Sequence, residues 1–250
     1  MVEEVRLPSF VVQAPLPLRA LLVGNSGSGK STFISQLIRN KDTVFPKPGY
    51  AKFIYCSPNL SGDYVSEEDS SFQQNLRQLA NPTEIVFEDH VLTTEELFQH
   101  AESTAGRILL FFDDFSQQVF STNLIFELFT RLSSHQRIDS CITLHLGLST
   151  GKAAGKWHNL VFSNCNFLVI FQNIADRQAV STMSKRIFPF GRNHLQRCLA
   201  QATKILGSYG HIIIDSNLKN SLNTRFGVKS NLFQTGGLPM LLFKNPHDYV

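Results

Sequence analysis

The sequence predicts a three-layer α/β domain with a mostly parallel central sheet. Three observations carry that expectation. Strand-like apolar runs alternate with amphipathic, helix-like stretches along most of the 250 residues. The runs are almost continuously apolar, as strands covered on both faces must be, and Ile108-Leu109-Leu110-Phe111-Phe112 is typical of them. The first run, Leu21-Leu22-Val23, passes directly into a glycine-rich segment that leads into a helix pattern.

Taken in order, the expected strands are residues 20–23, 53–56, 84–87, 108–113, 141–146, 167–171 and 211–215. The expected helices are 30–40, 70–79, 94–104, 123–135, 176–187 and 193–206. The fourth strand ends on Asp113-Asp114, and the helix at 94 opens on Thr94-Glu95-Glu96, acidic residues that favour the positive end of a helix dipole. Residues 1–18, with Pro8, Pro15 and Pro17, read as an N-terminal arm, 19–230 as the domain and 231–250 as a C-terminal tail. A chain of this length forms one large core and leaves little for a second.

Composition narrows the class. With 42% hydrophobic and 17% charged residues, and 21 phenylalanines, the chain is too apolar for disorder and has no apolar run long enough to cross a bilayer. Met1 to Ser9 carries acidic residues and no apolar core, so neither a secretory signal nor a membrane anchor is expected there, and no membrane partner. Cys56, Cys141, Cys165 and Cys198 are widely spaced, without a Cys-x-x-Cys pair, and read as buried reduced thiols of an intracellular protein. The net charge of +3 permits nucleic-acid binding without arguing for it.

The glycine-rich segment is Gly24-Asn25-Ser26-Gly27-Ser28-Gly29-Lys30-Ser31-Thr32, which satisfies G-x-x-x-x-G-K-[ST] between a strand and a helix. Gly24, Gly27 and Gly29 allow the backbone to turn its N–H groups inward as an anion nest, reinforced by the helix N-terminus. Lys30 is a flexible cation suited to the β- and γ-phosphates, and the Ser31 hydroxyl suits Mg²⁺. Thr32 reads as a helix-packing residue or an α-phosphate contact. The loop itself does not separate ATP from GTP. The fold expectation becomes a P-loop NTPase of the ASCE/RecA-like class.

Asp113 and Asp114 stand at the carboxyl end of an apolar strand, where open α/β sheets bind their ligands. This is the Walker B pattern. Asp113 is the expected Mg²⁺ ligand, directly or through water, and Asp114 the residue that orients and deprotonates the attacking water. Two adjacent carboxylates at a buried strand end repel each other and are costly to desolvate, which argues for chemistry rather than packing. A second acid after the metal ligand favours a hydrolysing ATPase over a GTPase switch.

Beyond these motifs the sequence resembles the FtsK/HerA-type genome-packaging ATPases of double-stranded DNA viruses, particularly the compact forms in Polinton/Maverick elements, virophages and poxvirus relatives. The resemblance covers residues 19–233. It rests on Phe53-Ile54-Tyr55-Cys56-Ser57-Pro58, on Phe171-Gln172-Asn173-Ile174-Ala175-Asp176-Arg177 followed by Ser184-Lys185-Arg186-Ile187-Phe188-Pro189, and on Tyr209-Gly210-His211-Ile212-Ile213-Ile214-Asp215 with a later Arg225. Two departures stand out. Where the family ends the strand after Walker B with Gln-Asn, a γ-phosphate sensor, this chain has Thr143-Leu144-His145-Leu146-Gly147, so His145 is the nearest polar substitute. Its alternative reading is a hydrogen-bonded core histidine. Where the family has an Arg before the next strand, this chain has Lys156-Trp157-His158, and the later Asn164 fits the family's Asn better.

The resemblance implies an ATP- and Mg²⁺-dependent translocase that assembles into a homo-oligomeric ring and drives viral double-stranded DNA into a preformed capsid, with capsid proteins as partners. It implies a location in the host nucleus or a cytoplasmic virus factory, with virion association as a further expectation. It also implies an arginine donated in trans, for which Arg177, Arg186 and Arg225 stand in family-like motifs; Arg186 is preferred because its expected helix ends at Pro189. The basic stretch Ser149-Thr150-Gly151-Lys152-Ala153-Ala154-Gly155-Lys156 reads either as a pore loop that meets DNA or as a solvated surface loop. Two competitors remain. A nucleotide kinase should carry an Arg-rich lid, which the sequence lacks, and a non-hydrolysing P-loop scaffold sits poorly with intact Lys30, Ser31, Asp113 and Asp114.

Overall fold

The computed structural model describes residues 14–60, 67–115, 118–119, 122–145, 164–171, 194–206, 210–215, 228–229 and 240–241. Nine strands form one sheet among these residues. They are β1 (Arg19–Val23), β2 (Tyr50–Cys56), β3 (Glu84–Glu88), β4 (Arg107–Phe112), β5 (Ile138–Leu144), β6 (Phe167–Phe171), β7 (His211–Asp215), β8 (Val228–Lys229) and β9 (Met240–Leu241). Their spatial order is β3-β2-β4-β5-β1-β6-β7-β8-β9. The six strands from β3 to β6 are mutually parallel, and β7, β8 and β9 pair antiparallel in turn.

The period of two along each strand sorts side chains into two cores. Leu22, Phe53, Tyr55, Leu109 and Phe111 point to one face, where they meet Phe33, Ile34 and Leu37 of α1 (Lys30–Arg39) and Leu76 of α3 (Glu67–Ala80). Between these helices lies the short α2 (Lys41–Val44). Leu21, Val23, Ile54, Leu110 and Phe112 point to the other face. There they meet Leu97 of α4 (Thr94–Glu102), the helical segment α5 (residues 124–135), and Cys198 and Leu199 of α6 (His194–Leu206). Both faces are covered, which is why these strands read as unbroken apolar runs.

Several boundaries differ from the sequence expectation for identifiable reasons. The segment expected as one α-helix over residues 123–135 is α5, with α-helical Leu124–Glu127 and Ser133–His135 on either side of a π-helical turn at Leu128–Leu132. The Arg19 guanidinium donates to the Phe129 carbonyl of that turn at 3.1 Å. Strand β5 runs from Ile138 rather than Cys141 and ends at Leu144, so His145 lies beyond it. Its first turn of sequence hides a buried acid. Asp139 accepts from Arg107 Nη2 at 2.6 Å and from the Tyr50 hydroxyl at 2.7 Å, tying together the first residues of β4, β5 and β2. Burial pushes the Asp139 carboxyl up, and Arg107 opposes that shift.

The end of the expected arm belongs to the core: Ala14 and Leu18 are buried, and the Ala14 N–H donates to the Val44 carbonyl. Asn166 fastens β1 where it begins, accepting from the Arg19 N–H at 2.9 Å and donating to the Pro17 carbonyl at 2.6 Å. Within the expected tail, Met240–Leu241 pairs with β8. The expected helix at 176–187 lies outside the described residues. All four cysteines are buried thiols outside any disulfide. Among the described residues no helix is long and apolar enough to cross a membrane.

Candidate functional site

Strand β1 is flanked on both sides by parallel neighbours, β5 and β6, so the loop that leaves its carboxyl end stands at the middle of the sheet. The Gly24 N–H continues the ladder by donating to the Leu144 carbonyl at 3.0 Å. A side chain at Gly24 would lie 2.5 Å from Ser28 Oγ and 2.9 Å from Phe171 Cβ, so only glycine lets the loop fold back this tightly. Gly29, the residue before α1, has φ 99°, a left-handed conformation that orients the loop's N–H groups into the helix N-terminus. Asn25 is half-buried, Ser26 exposed and Ser28 buried with its Oγ unbonded. Thr32 is exposed, which removes the helix-packing alternative for it.

Lys30 is 5% exposed. Its Nζ donates to the Asn25 carbonyl at 2.8 Å and to the Gly24 carbonyl at 3.1 Å, leaving the third donor of the ammonium for an anion in the nest. Burial lowers the Lys30 pKa, while Asp113 and Asp114 oppose that change.

The second motif lies one strand further out, because β5 stands between β1 and β4. Asp113 and Ser31 nonetheless meet: Ser31 Oγ donates to Asp113 Oδ2 at 2.7 Å. That contact joins the lysine-bearing loop to the acidic strand end, and it decides the architecture. The fold is that of a P-loop NTPase. The strand intervening between the two motifs is the additional strand of the ASCE class.

Comparison with known structures finds distant likenesses of shape, among them the following. One is an "ATPase" structure with a TM-score of 0.34 and 15% identity, covering 61% of this chain and 64% of the other. Another is EssC (ATPases 2 and 3) from Geobacillus thermodenitrificans, with a TM-score of 0.39 and 9% identity, covering 90% of this chain and 40% of the other. The chain thus spans less than two thirds of each of those structures. No family model and no curated protein sequence matches it.

The two acids of the P-loop site are handled differently. Asp113 is 4% exposed, its N–H donates to the Cys56 carbonyl, and its Oδ2 accepts from Ser31 and from the Tyr55 hydroxyl at 2.6 Å. Its Oδ1 is buried and has no hydrogen-bond partner. Burial, then Asp113, raise the Tyr55 pKa well above the usual phenol value, so the hydroxyl is a permanent donor. Asp114 has φ 60°, a left-handed conformation that costs a non-glycine residue on the order of 1 kcal/mol or more and that clusters at functional sites. Its side chain is half-exposed, in contrast to the buried Asp113. Two groups hold it there. Thr143 Oγ1 accepts from the Asp114 N–H at 3.0 Å, and His145 Nε2 lies 2.8 Å from Asp114 Oδ1. His145 is about one third exposed, so the core-histidine alternative is overturned: it lines the site beside the second acid.

The donor set fits a divalent cation bound together with phosphates. Asp113 offers a buried, unbonded oxygen and Ser31 an adjacent hydroxyl, while no cluster of three or more His, Cys, Asp or Glu side chains able to hold a metal exists among the described residues. Mg²⁺ characteristically takes one or two protein oxygens and completes its shell with phosphate and water. Sequence reasoning missed Tyr55 and Thr143. Arg186, Arg177, Arg225, Lys152 and Lys156 lie outside the described residues.

Proposed function

We propose that this chain is a Mg²⁺-dependent ATPase whose subunits work as a ring to package viral double-stranded DNA into a capsid. The observation that carries the hydrolytic part is the Ser31–Asp113 contact with Asp114 and His145 beside it, which assembles phosphate nest, cation ligands and a candidate base in one place. Lys30 and the loop N–H groups hold the β- and γ-phosphates. Ser31 and Asp113 would hold Mg²⁺, which when bound would neutralise charge on the phosphate oxygens. Asp114 orients a water and takes its proton as the water oxygen bonds to the γ-phosphorus and the bond to the bridging oxygen of ADP breaks. His145 keeps the Asp114 carboxylate in place.

The packaging part draws its support from the sequence resemblance, whose fragments occur in the family's order over residues 19–233, and from the basic segment at 149–156. Ring assembly, DNA, capsid proteins and a site in the nucleus or a virus factory follow from the same resemblance. The test is the rate of ATP hydrolysis by the full chain with and without double-stranded DNA. DNA should stimulate turnover, and its affinity should fall steeply with salt as counterions are released. ATP turnover indifferent to DNA would leave a P-loop ATPase and remove the translocase.

A further inference from the structure

We infer that Tyr55 is a positioning residue for the cation: its hydroxyl holds one oxygen of Asp113 so that the other is presented to the metal. The inference rests on the reading of this site as a Mg·nucleotide site and assigns a role to a residue outside both nucleotide motifs.

The geometry begins with register. Tyr55 on β2 is paired with Phe111 on β4, and Asp113 follows Phe111 by two residues. A spacing of two returns the chain to the same face of the sheet, so the phenol and the carboxylate project toward α1 together. The hydroxyl then reaches Asp113 Oδ2 at 2.6 Å, the short distance of a bond to a charged acceptor. Ser31 donates to that same oxygen. Both donors therefore crowd onto Oδ2, and Oδ1 is left buried and unbonded. An unsatisfied carboxylate oxygen out of water is costly, and a cation is the partner that removes the cost.

The two donors are not equivalent. Ser31 is itself a candidate ligand, so its bond to Asp113 is the one that exchanges when the site fills. Tyr55 has no such second task. Its ring is fixed among Phe72, Phe87 and Phe111, at centroid distances of 5.7, 6.1 and 6.3 Å. Packing alone would accept phenylalanine here, as it does at Phe53 and Phe111; the hydroxyl is the part that packing does not require.

Tyr55→Phe tests this, with Mg²⁺ titrated against binding of a fluorescent ATP analogue to the full chain, and binding of the same analogue measured in EDTA. The Mg²⁺ concentration for half-maximal binding should rise about 10–100-fold, the usual consequence of losing a group that orients a metal ligand, while metal-free binding and the cooperative melt are retained. Phe53→Leu, which disturbs the same aromatic core but packs on Tyr50 and Phe111 rather than on the Tyr55 ring, should lower the melting temperature and leave the Mg²⁺ requirement unchanged. An unchanged requirement in Tyr55→Phe, an equal rise in Phe53→Leu, or loss of the fold in Tyr55→Phe would each overturn the inference. If the wild-type chain itself binds the analogue with no response to Mg²⁺, the underlying reading of the site fails and the inference with it.

Discussion

His145 Nε2 lies 2.8 Å from Asp114 Oδ1, although the two residues stand at the ends of different strands. Thr143, two residues before the histidine, accepts from the N–H of the same aspartate. The end of β5 thus holds both the backbone and the side chain of the acid that follows β4. His145→Ala should lower kcat about 10–100-fold, the scale of a lost orienting partner, and leave Mg·ATP binding intact. His145→Gln, which keeps a donor, should recover part of the loss. Weakened binding with unchanged kcat would place the histidine in ground-state recognition instead.

Among the described residues no arginine contact is seen to the nucleotide loop or to the acid pair, and the ring proposal supplies an arginine from a neighbour. Arg186→Ala protein and Lys30→Ala protein should each be inactive, the second because the nest loses its cation. Mixed rings should regain part of the activity, since an arginine finger is worth about 10³–10⁵ in related phosphoryl transfers. Rings shown to contain both variants and still inactive would reject Arg186 as the donated residue.

Far from the nucleotide loop, Arg107 and Asp139 form an ion pair whose acid is fully buried. Arg107→Met leaves that carboxylate without its charge partner and should cost about 3–5 kcal/mol in denaturant unfolding. The double variant Arg107→Met/Asp139→Leu should be less destabilised than Arg107→Met, because the uncompensated charge is gone. A double variant worse than the single would contradict this account of the strand starts.

Helix α4 begins with a reciprocal cap in which Thr93 Oγ1 accepts from the Glu96 N–H and Glu96 accepts from the Thr93 N–H at 2.7 Å. The Thr93 N–H, then its hydroxyl, hold the Glu96 carboxyl below its ordinary value of 4.5. A depressed carboxyl stabilises the fold above its unfolded pKa and loses that contribution as pH falls through the folded one. Glu96→Gln should therefore be slightly less stable than wild type at neutral pH, the difference kept small because water screens the half-exposed carboxylate, with the gap closing as the pH falls below 4.5. A gap independent of pH would show that the charge contributes nothing.

The parts of the fold legible in the sequence are those where chemistry and burial agree. Strand β6, and β1 and β4 after their first arginine, are apolar throughout because both faces are covered, and the nucleotide loop announces itself through residue types that nothing else requires together. The start of β5 was hidden because Asp139 and Ser140 are polar yet wholly buried; a buried acid resembles a turn until its partners on β4 and β2 are known. Strands β8 and β9 have two residues each, too few to show a period. Tyr55 stands in an expected strand and in a fragment of the family resemblance, but its link to Asp113 depends on the β2–β4 register, which local sequence does not encode. His145 had two readings, separated only by its exposure and its contact with Asp114.

The division of labour between the two acids is tested most directly by Asp114→Asn and Asp113→Asn, with Mg·ATP binding and single-turnover hydrolysis measured on the same samples. The account predicts that Asp114→Asn binds Mg·ATP as wild type does and hydrolyses it about 10²–10⁴-fold more slowly, whereas Asp113→Asn loses the Mg²⁺-dependent part of binding. Near wild-type hydrolysis by Asp114→Asn, or loss of Mg·ATP binding in that variant with binding retained in Asp113→Asn, would contradict it.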